Sequence, residues 1–357
     1  MKEIPHTTIG IDYSKLRDIQ IISLDLSKLH ELHINGLVNV TEHAGGGFTI
    51  KIERHNNPKD NSPELFRFNS FKAKVYDHNG CIDTAYCYLE ISVKLLRSHN
   101  IVPLSVIEYR TYLQGIFQHL RDDYGITCGN PELLKFLKLE INVNVWLESK
   151  FKDYVRTIKT LIAVAPGTYR RRSTYGKHKG ETDSSFYAEN NQKKVKLYDK
   201  GLEQNKAEQD GRGLLRIEYT LENTNRIEKE FGTSKVAEFH DRMLVDFVRD
   251  SFRKDFCEGY NKLIIETKKG LERQIRKTKD NGTRHKNIAK FLWDCETVNK
   301  IGLIDVEDYY EIVKPSDKGN FWRTRQQVKK DFPSAYFNQH ILFKELCCKI
   351  LNEEQRI

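Results

Sequence analysis

At 357 residues and 38% hydrophobic content, the chain is long enough for two domains and a sizeable core, which excludes wholesale disorder. Lysine and arginine outnumber the acids 59 to 50, a formal charge of +9 that favours an anionic partner, of which nucleic acid is the commonest. Seven cysteines without a C-x-x-C pair fit neither a disulfide framework nor a zinc ribbon. The opening MKEIPHTTIG has no apolar signal core, and no run approaches the roughly 18 apolar residues of a membrane helix, so a cytosolic protein is expected.

From about 18 to 94 the pattern is strand-like: DIQIISLDL, GFTIKIER, FKAKVYD and YCYLEISV alternate apolar and polar residues between Gly, Asn, Pro and Asp stretches. VIEYRTYLQGIFQHLRDDYG then carries apolar residues at helical spacing and ends at Gly125. LKLEINVNVW (137–146) reads as a strand and 148–163 as a helix, followed by the strands TYRRRSTYG, KKVKLYDKG and GLLRIEYTLEN. Strands, a helix and more strands predict an α+β domain, a largely antiparallel sheet with helices on one face, over residues 1–232. Residues 233–357 read as a mainly helical region for DNA binding or packing. Within it, 251–290 holds 12 Lys or Arg against 5 Asp or Glu, the composition of a phosphate surface or of a solvated helix face.

Three of the predicted strands share one oddity. In LKLEINVNV the apolar face is Leu139, Ile141, Val143 and Val145, leaving Glu140, Asn142 and Asn144 opposite. In LLRIEYTLE the apolar face leaves Arg216, Glu218 and Thr220 opposite, and in KKVKLYDK the tyrosine Tyr198 shares the polar side with Lys194 and Lys196. If the three strands sit in one sheet, Glu140, Tyr198 and Glu218 lie on the same open face. Carboxylates suit a hard divalent cation, Mg²⁺ or Mn²⁺, which polarises a phosphodiester. A tyrosine oxygen beside it attacks phosphorus to give a covalent protein–DNA ester and a free 3′-hydroxyl. A phenol with an ordinary pKa of about 10 needs help to ionise, and Lys194, Lys196 and Lys200 are at hand. The tyrosine would then face outward in order to reach DNA. The competing reading is a solvent-facing tyrosine among glutamates and lysines that merely pair with one another.

Spacing adds to this: Tyr198, Lys200 and Glu203 form Y-x-K-x-x-E, followed by Arg216 and Glu218 as R-x-E within a strand. With EISVKLLRSHN (90–100), TYLQGIFQHL…LKLEINV, KVKLYDKGLEQ, GLLRIEYTLEN and an FWR echo at 321–323, the chain resembles the replication initiators of the filamentous-phage gene II/gene X group. More distantly it resembles the Rep_trans type of plasmid rolling-circle initiators and conjugative-element relaxases. The likeness spans roughly residues 65 to 235. It implies a DNA-nicking and strand-transferring enzyme in which Tyr198 is the nucleophile and Glu218 the acid of the R-x-E strand. Glu140 falls where those relatives carry an acid, often Asp, so its metal contact is one methylene longer. Lys200 would steady the scissile phosphate or the tyrosinate, and Glu203 and Arg216 would position phosphate or support the ligands. Glu90 is a further acidic candidate on a polar face, with a salt bridge as its competing role.

The implied partners are double-stranded origin DNA, single-stranded DNA, a separate helicase and a DNA polymerase, and a homodimer is compatible with the C-terminal region. No G-x-x-x-x-G-K-[ST] is present, so unwinding needs that separate helicase. HELH at 30–33 is neither a His-x-His pair nor H-E-x-x-H, HAGGGF at 43–48 reads as a hairpin loop, and HDRM at 240–243 lacks a suitable downstream tyrosine. Trp322, Arg323 and Arg325 read as a packed anchor or a DNA contact. A relaxase using the same chemistry, and a non-catalytic DNA-binding regulator on the same fold, are the alternatives.

Overall fold

The period-2 alternation of the predicted strands is realised as one large sheet. The computed structural model describes residues 7–44, 46–53, 68–78, 81–93, 103–175, 184–203, 212–277 and 338–351. In chain order the elements are β1 (Thr7–Arg17), β2 (Ile21–Leu24), α1 (Leu26–Ile34), β3 (Asn39–His43), β4 (Gly47–Glu53), β5 (Ser70–His78) and β6 (Cys81–Ser92). Then follow α2 (Val106–Tyr124), β7 (Ile126–Cys128), β8 (Lys135–Trp146), α3 (Phe151–Val164), β9 (Arg171–Tyr175), β10 (Ser185–Glu189), β11 (Lys193–Asp199) and α4 (Lys200–Glu203). The remainder is β12 (Leu214–Leu221), α5 (Thr224–Phe231), α6 (Asp241–Phe252), α7 (Glu258–Lys277) and α8 (Asn338–Leu351). A π-helical turn, Arg253–Cys257, joins α6 to α7.

Ten strands pair in the order β3-β4-β5-β6-β1-β8-β12-β11-β10-β9, antiparallel throughout, while β2 and β7 form a separate two-stranded ribbon. The architecture is α+β, with a largely antiparallel sheet as its frame. Along β8, Leu139, Ile141, Val143 and Val145 are fully buried, as are Val195 and Leu197 of β11 and Leu215 and Ile217 of β12. Each such side chain contributes at most about 1.5–3 kcal/mol of burial, so this face holds the sheet to its helices. Helices α2, α3, α5, α6 and α8 contact strands β1, β8, β10 and β12, and α7 lies against α3. Tyr219 of β12 meets Phe247 of α6 edge-on, and Phe136 of β8 meets Phe239 in the same way, so the segments on either side of residue 233 share one core.

Local signals explain the element ends. Helix α2 begins at a capping box, Ser105 with Glu108, and stops at Gly125, whose φ of 68° is the left-handed conformation glycine adopts without strain. The stretch DIQIISLDL departs from expectation. Only Ile21–Leu24 is extended, and Asp25 accepts a hydrogen bond from the Lys28 amide, so an N-cap opens α1 where alternation predicted strand. HELH falls in that helix, where His33 Nδ1 contacts the Val38 carbonyl oxygen and accepts from the Val40 amide. His43 pairs with Gly47 where β3 meets β4, in keeping with the hairpin expected at HAGGGF. Trp322, Arg323 and Arg325 lie outside the described residues.

Candidate active site

Four adjacent strands, β1, β8, β12 and β11, carry the site. Ile11 pairs with Ile141 and Tyr13 with Glu140, so Asp12 is the extra residue of a β-bulge. Ahead of the bulge, Thr8 and Gly10 stand opposite Asn144 and Asn142; beyond it, Tyr13 and Lys15 stand opposite Glu140 and Lys138. The bulge thus turns two successive side chains, Asp12 and Tyr13, to the polar face. On the other side of β8, Thr220 pairs with Glu140, Glu218 with Asn142 and Arg216 with Asn144. Register across β11 then sets Lys196 opposite Glu218 and Tyr198 opposite Arg216.

This register brings three carboxylates together. One oxygen each from Asp12, Glu140 and Glu218 lie within 4.8 Å of one another. Asp12 is 1% and Glu218 5% exposed, and Glu140 is half-buried. Like charges this close repel strongly in a medium of reduced dielectric. Part of that cost is offset by Arg216, fully buried, whose Nη1 lies 3.8 Å from Asp12 Oδ2. Arg216 is itself fixed by Asn144, whose Oδ1 accepts from Nε at 2.6 Å, and Asn144 Nδ2 donates in turn to Thr8 Oγ1 at 3.4 Å. Thr220 Oγ1 donates to Glu140 Oε2 at 3.2 Å.

Tyr198 joins the cluster diagonally across the β11–β12 ladder, its hydroxyl donating to Glu218 Oε1 at 2.6 Å. Lys196 Nζ sits 4.0 Å from the Tyr198 ring centroid and Lys200 Nζ 5.9 Å from it. The chain turns into α4 directly after β11, with Asp199 Oδ1 accepting from the Leu202 amide, and this turn places Lys200 inside at 1% exposure. Tyr198 is on the polar side of its strand, as alternation predicted, yet it is only 4% exposed. The outward-facing tyrosine expected from the sequence is thus a covered one.

The remaining predicted residues sit at graded distances from this centre. Arg216 lies within it. Lys194 is one pair further along β11, 3.6 Å from Glu189 and over the Tyr187 ring at 4.9 Å. Glu90 is on β6, beyond β1, and makes a 2.7 Å ion pair with Lys15, opposite it in the ladder. Glu203 ends α4, and its side chain lies outside the described residues. Asp12 is the residue the sequence reading missed. Thr8, Gly10 and Asp12 alternate with Ile9 and Ile11, but the bulge breaks the period at Tyr13, and a strict period-2 template loses the strand there. Tyr13, the other tyrosine near the acids, has its hydroxyl pushed above the ordinary phenol range by burial and then by Glu90, Glu140 and Glu222, which disfavours its phenolate.

The donor set fits a hard divalent cation. All three groups are oxygen donors on neighbouring strands, and a cation held between them would offset their mutual repulsion. Asn142, between Gly10 and Glu218 in the ladder, is fully buried, and neither its Oδ1 nor its Nδ2 has a hydrogen-bond partner among the described residues. A buried amide left in that condition marks space that a water or hydrated ion can satisfy.

No helix of the described residues is long and apolar enough to cross a membrane. No family model matches the chain, and no curated protein matches it. Among solved structures it is similar to one described as a rolling circle replication initiator protein from Geobacillus stearothermophilus, at 13% identity and a TM-score of 0.36. That similarity covers 70% of this chain and 85% of the other, and at so low a score the chemistry must be read from the site itself.

Proposed function

We propose that the chain is a DNA-nicking and strand-transferring enzyme that initiates rolling-circle replication, as its resemblance to the gene II/gene X and Rep_trans groups implies. The observation that carries this reading is the hydrogen bond from the Tyr198 hydroxyl to Glu218, a member of the three-carboxylate cluster. Asp12, Glu140 and Glu218 would hold Mg²⁺ or Mn²⁺, which when bound offsets the charge developing on the phosphodiester oxygens. Tyr198 supplies the nucleophile: its oxygen forms the new bond to phosphorus as the bond from phosphorus to the 3′ oxygen breaks. Its proton passes along the existing hydrogen bond to Glu218, and the departing 3′ oxygen takes up a proton from water to leave a 3′-hydroxyl. Lys196 and Lys200 flank the ring and would offset the negative charge that builds up around it once the proton has left, while Arg216 stands beside Asp12. Because one ester replaces another, the broken strand can be rejoined without ATP. Tyr198 is covered in this conformation, so the reading includes an opening step that admits the phosphodiester.

Residues 233–357 are proposed to recognise duplex origin DNA through phosphate contacts, with Lys194 as a further phosphate contact and Glu90 as support for the sheet beside the site. A helicase and a polymerase would act on the nicked product, and a relaxase for conjugative transfer would use the same steps. The covered tyrosine favours one second reading, a DNA-binding regulator whose acids and lysines only pair with one another. The two separate in one experiment: DNA carrying the native origin is incubated with Mn²⁺ or EDTA and run on denaturing gels. Metal-dependent nicking with a protein–DNA adduct that is absent in Tyr198→Phe supports the enzyme. A specific site bound equally in Mn²⁺ and EDTA and never cut supports the regulator.

A further inference from the structure

On the far side of β1 the same polar face changes character, and tyrosines and lysines interleave across β4, β5 and β6. Tyr86 and Tyr88, both half-buried, stack with ring centroids 5.6 Å apart and planes inclined by 25°. Lys72 Nζ lies 5.9 Å from the Tyr86 centroid, Lys15 Nζ 5.4 Å from that of Tyr88, and Lys74 Nζ 5.4 Å from that of Tyr76. Lys51 and Lys72 stand directly opposite each other, an arrangement that costs a sheet stability. Glu53 pairs with Lys51 and Glu90 with Lys15, but among the described residues no carboxylate pairs with Lys72 or Lys74. A groove of about 400 Å³ runs beside the stacked rings, lined in part by Arg17, Asp18, Gln20 and Asp83. That is room enough for a small planar group.

We propose that this wing of the sheet is a binding platform for single-stranded nucleic acid, separate from the carboxylate cluster. Bases extend the Tyr86–Tyr88 stack, and Lys72, Lys74 and Arg17 meet the phosphates. Each lysine exchanges a contact with a ring for one with a phosphate, so the ring face it leaves becomes available to a base. A duplex hides its base faces and gains only the charge, so unpaired polymer is the better fit. β6 is three strands from β12, about 14 Å at ordinary spacing, so one strand of polymer can span platform and cluster. The inference rests on the proposed function only in taking that polymer to be the DNA strand the cluster would cut.

The test is metal-free binding, in EDTA, of a labelled oligothymidine of about twenty nucleotides and of a duplex of the same length, followed by fluorescence anisotropy at several salt concentrations. Tyr86→Leu with Tyr88→Leu should weaken oligothymidine binding by about tenfold or more and leave duplex binding little changed. Lys72→Gln with Lys74→Gln should lower the slope of log K against log salt by about 1.4. Circular dichroism would establish that these surface variants fold. Oligothymidine binding unchanged in the tyrosine pair overturns the platform, as does a wild type that binds no oligothymidine. Loss in the lysine pair alone also overturns it, since that is the signature of a surface for acidic peptide or bare phosphate. Nicking is not read out here, so a wild type that binds through the wing and never cuts would sink the proposed function while leaving the platform standing.

Discussion

The two halves of the polar sheet face solve opposite problems with the same secondary structure. Around β1, β8, β12 and β11 the charges are buried: Asp12, Arg216, Glu218 and Lys200 are each at most 5% exposed. Across β4, β5 and β6 they stand at the surface or half in it, over tyrosine rings. Burial raises the strength of every electrostatic contact and the cost of every missing one, whereas exposed charges are screened and cheap to rearrange. The buried half suits chemistry that needs fixed atoms, and the exposed half suits a ligand that is long, flexible and variable.

That contrast can be broken in four places. Tyr198→Phe should have the largest effect, with covalent adduct lost and nicking down on the order of 10³-fold or more, measured on denaturing gels. An adduct that persists would move the nucleophile elsewhere, and Tyr13, whose phenolate is disfavoured, is the neighbouring residue to test first by Tyr13→Phe. Arg216→Met removes the cation beside Asp12 and should cost about 3–5 kcal/mol in EDTA by denaturant unfolding, with part recovered in Mn²⁺. A variant as stable as wild type in EDTA would mean that the guanidinium does not offset the acids. Asp12→Asn relieves repulsion among the acids but leaves the buried Arg216 without its ion-pair partner, so in EDTA it should cost less than Arg216→Met, about 1–3 kcal/mol; it should weaken Mn²⁺ binding by at least about 10-fold, read as a smaller Mn²⁺-induced rise in Tm. Smallest of all, Lys72→Gln at the exposed wing should change stability by no more than about 0.5 kcal/mol.

Strand alternation made much of the site legible. Glu140, Glu218 and Tyr198 each occupy the polar position of a regular strand, and period 2 alone puts them on one face once the strands are neighbours. What alternation cannot supply is strand order, and that is why Glu90, equally polar-facing, lies on β6 with Lys15 rather than in the cluster. It also fails at irregularity. Asp12 owes its place to an extra residue in β1, so the pattern that would have marked the strand is interrupted at the residue that matters. Depth was misjudged for a third reason. Lys196 and Lys200 flank Tyr198 as the sequence suggested, but a period-2 pattern reports which face a side chain takes and says nothing of what covers that face.

The order of strands has a consequence in time. Asp12 is made early, on β1, while Glu218 arrives on β12, which must insert between β8 and β11 to complete the sheet. Such non-local pairing is slow, because the loops it closes must be ordered before the contacts repay them. A nascent chain released or stalled before residue 214 carries Asp12, Glu140 and Tyr198 but lacks the acid that bonds to Tyr198 and completes the carboxylate cluster. On the proposed reading, a protein able to cut DNA acquires that ability only as its last central strand docks, and partly made copies are harmless.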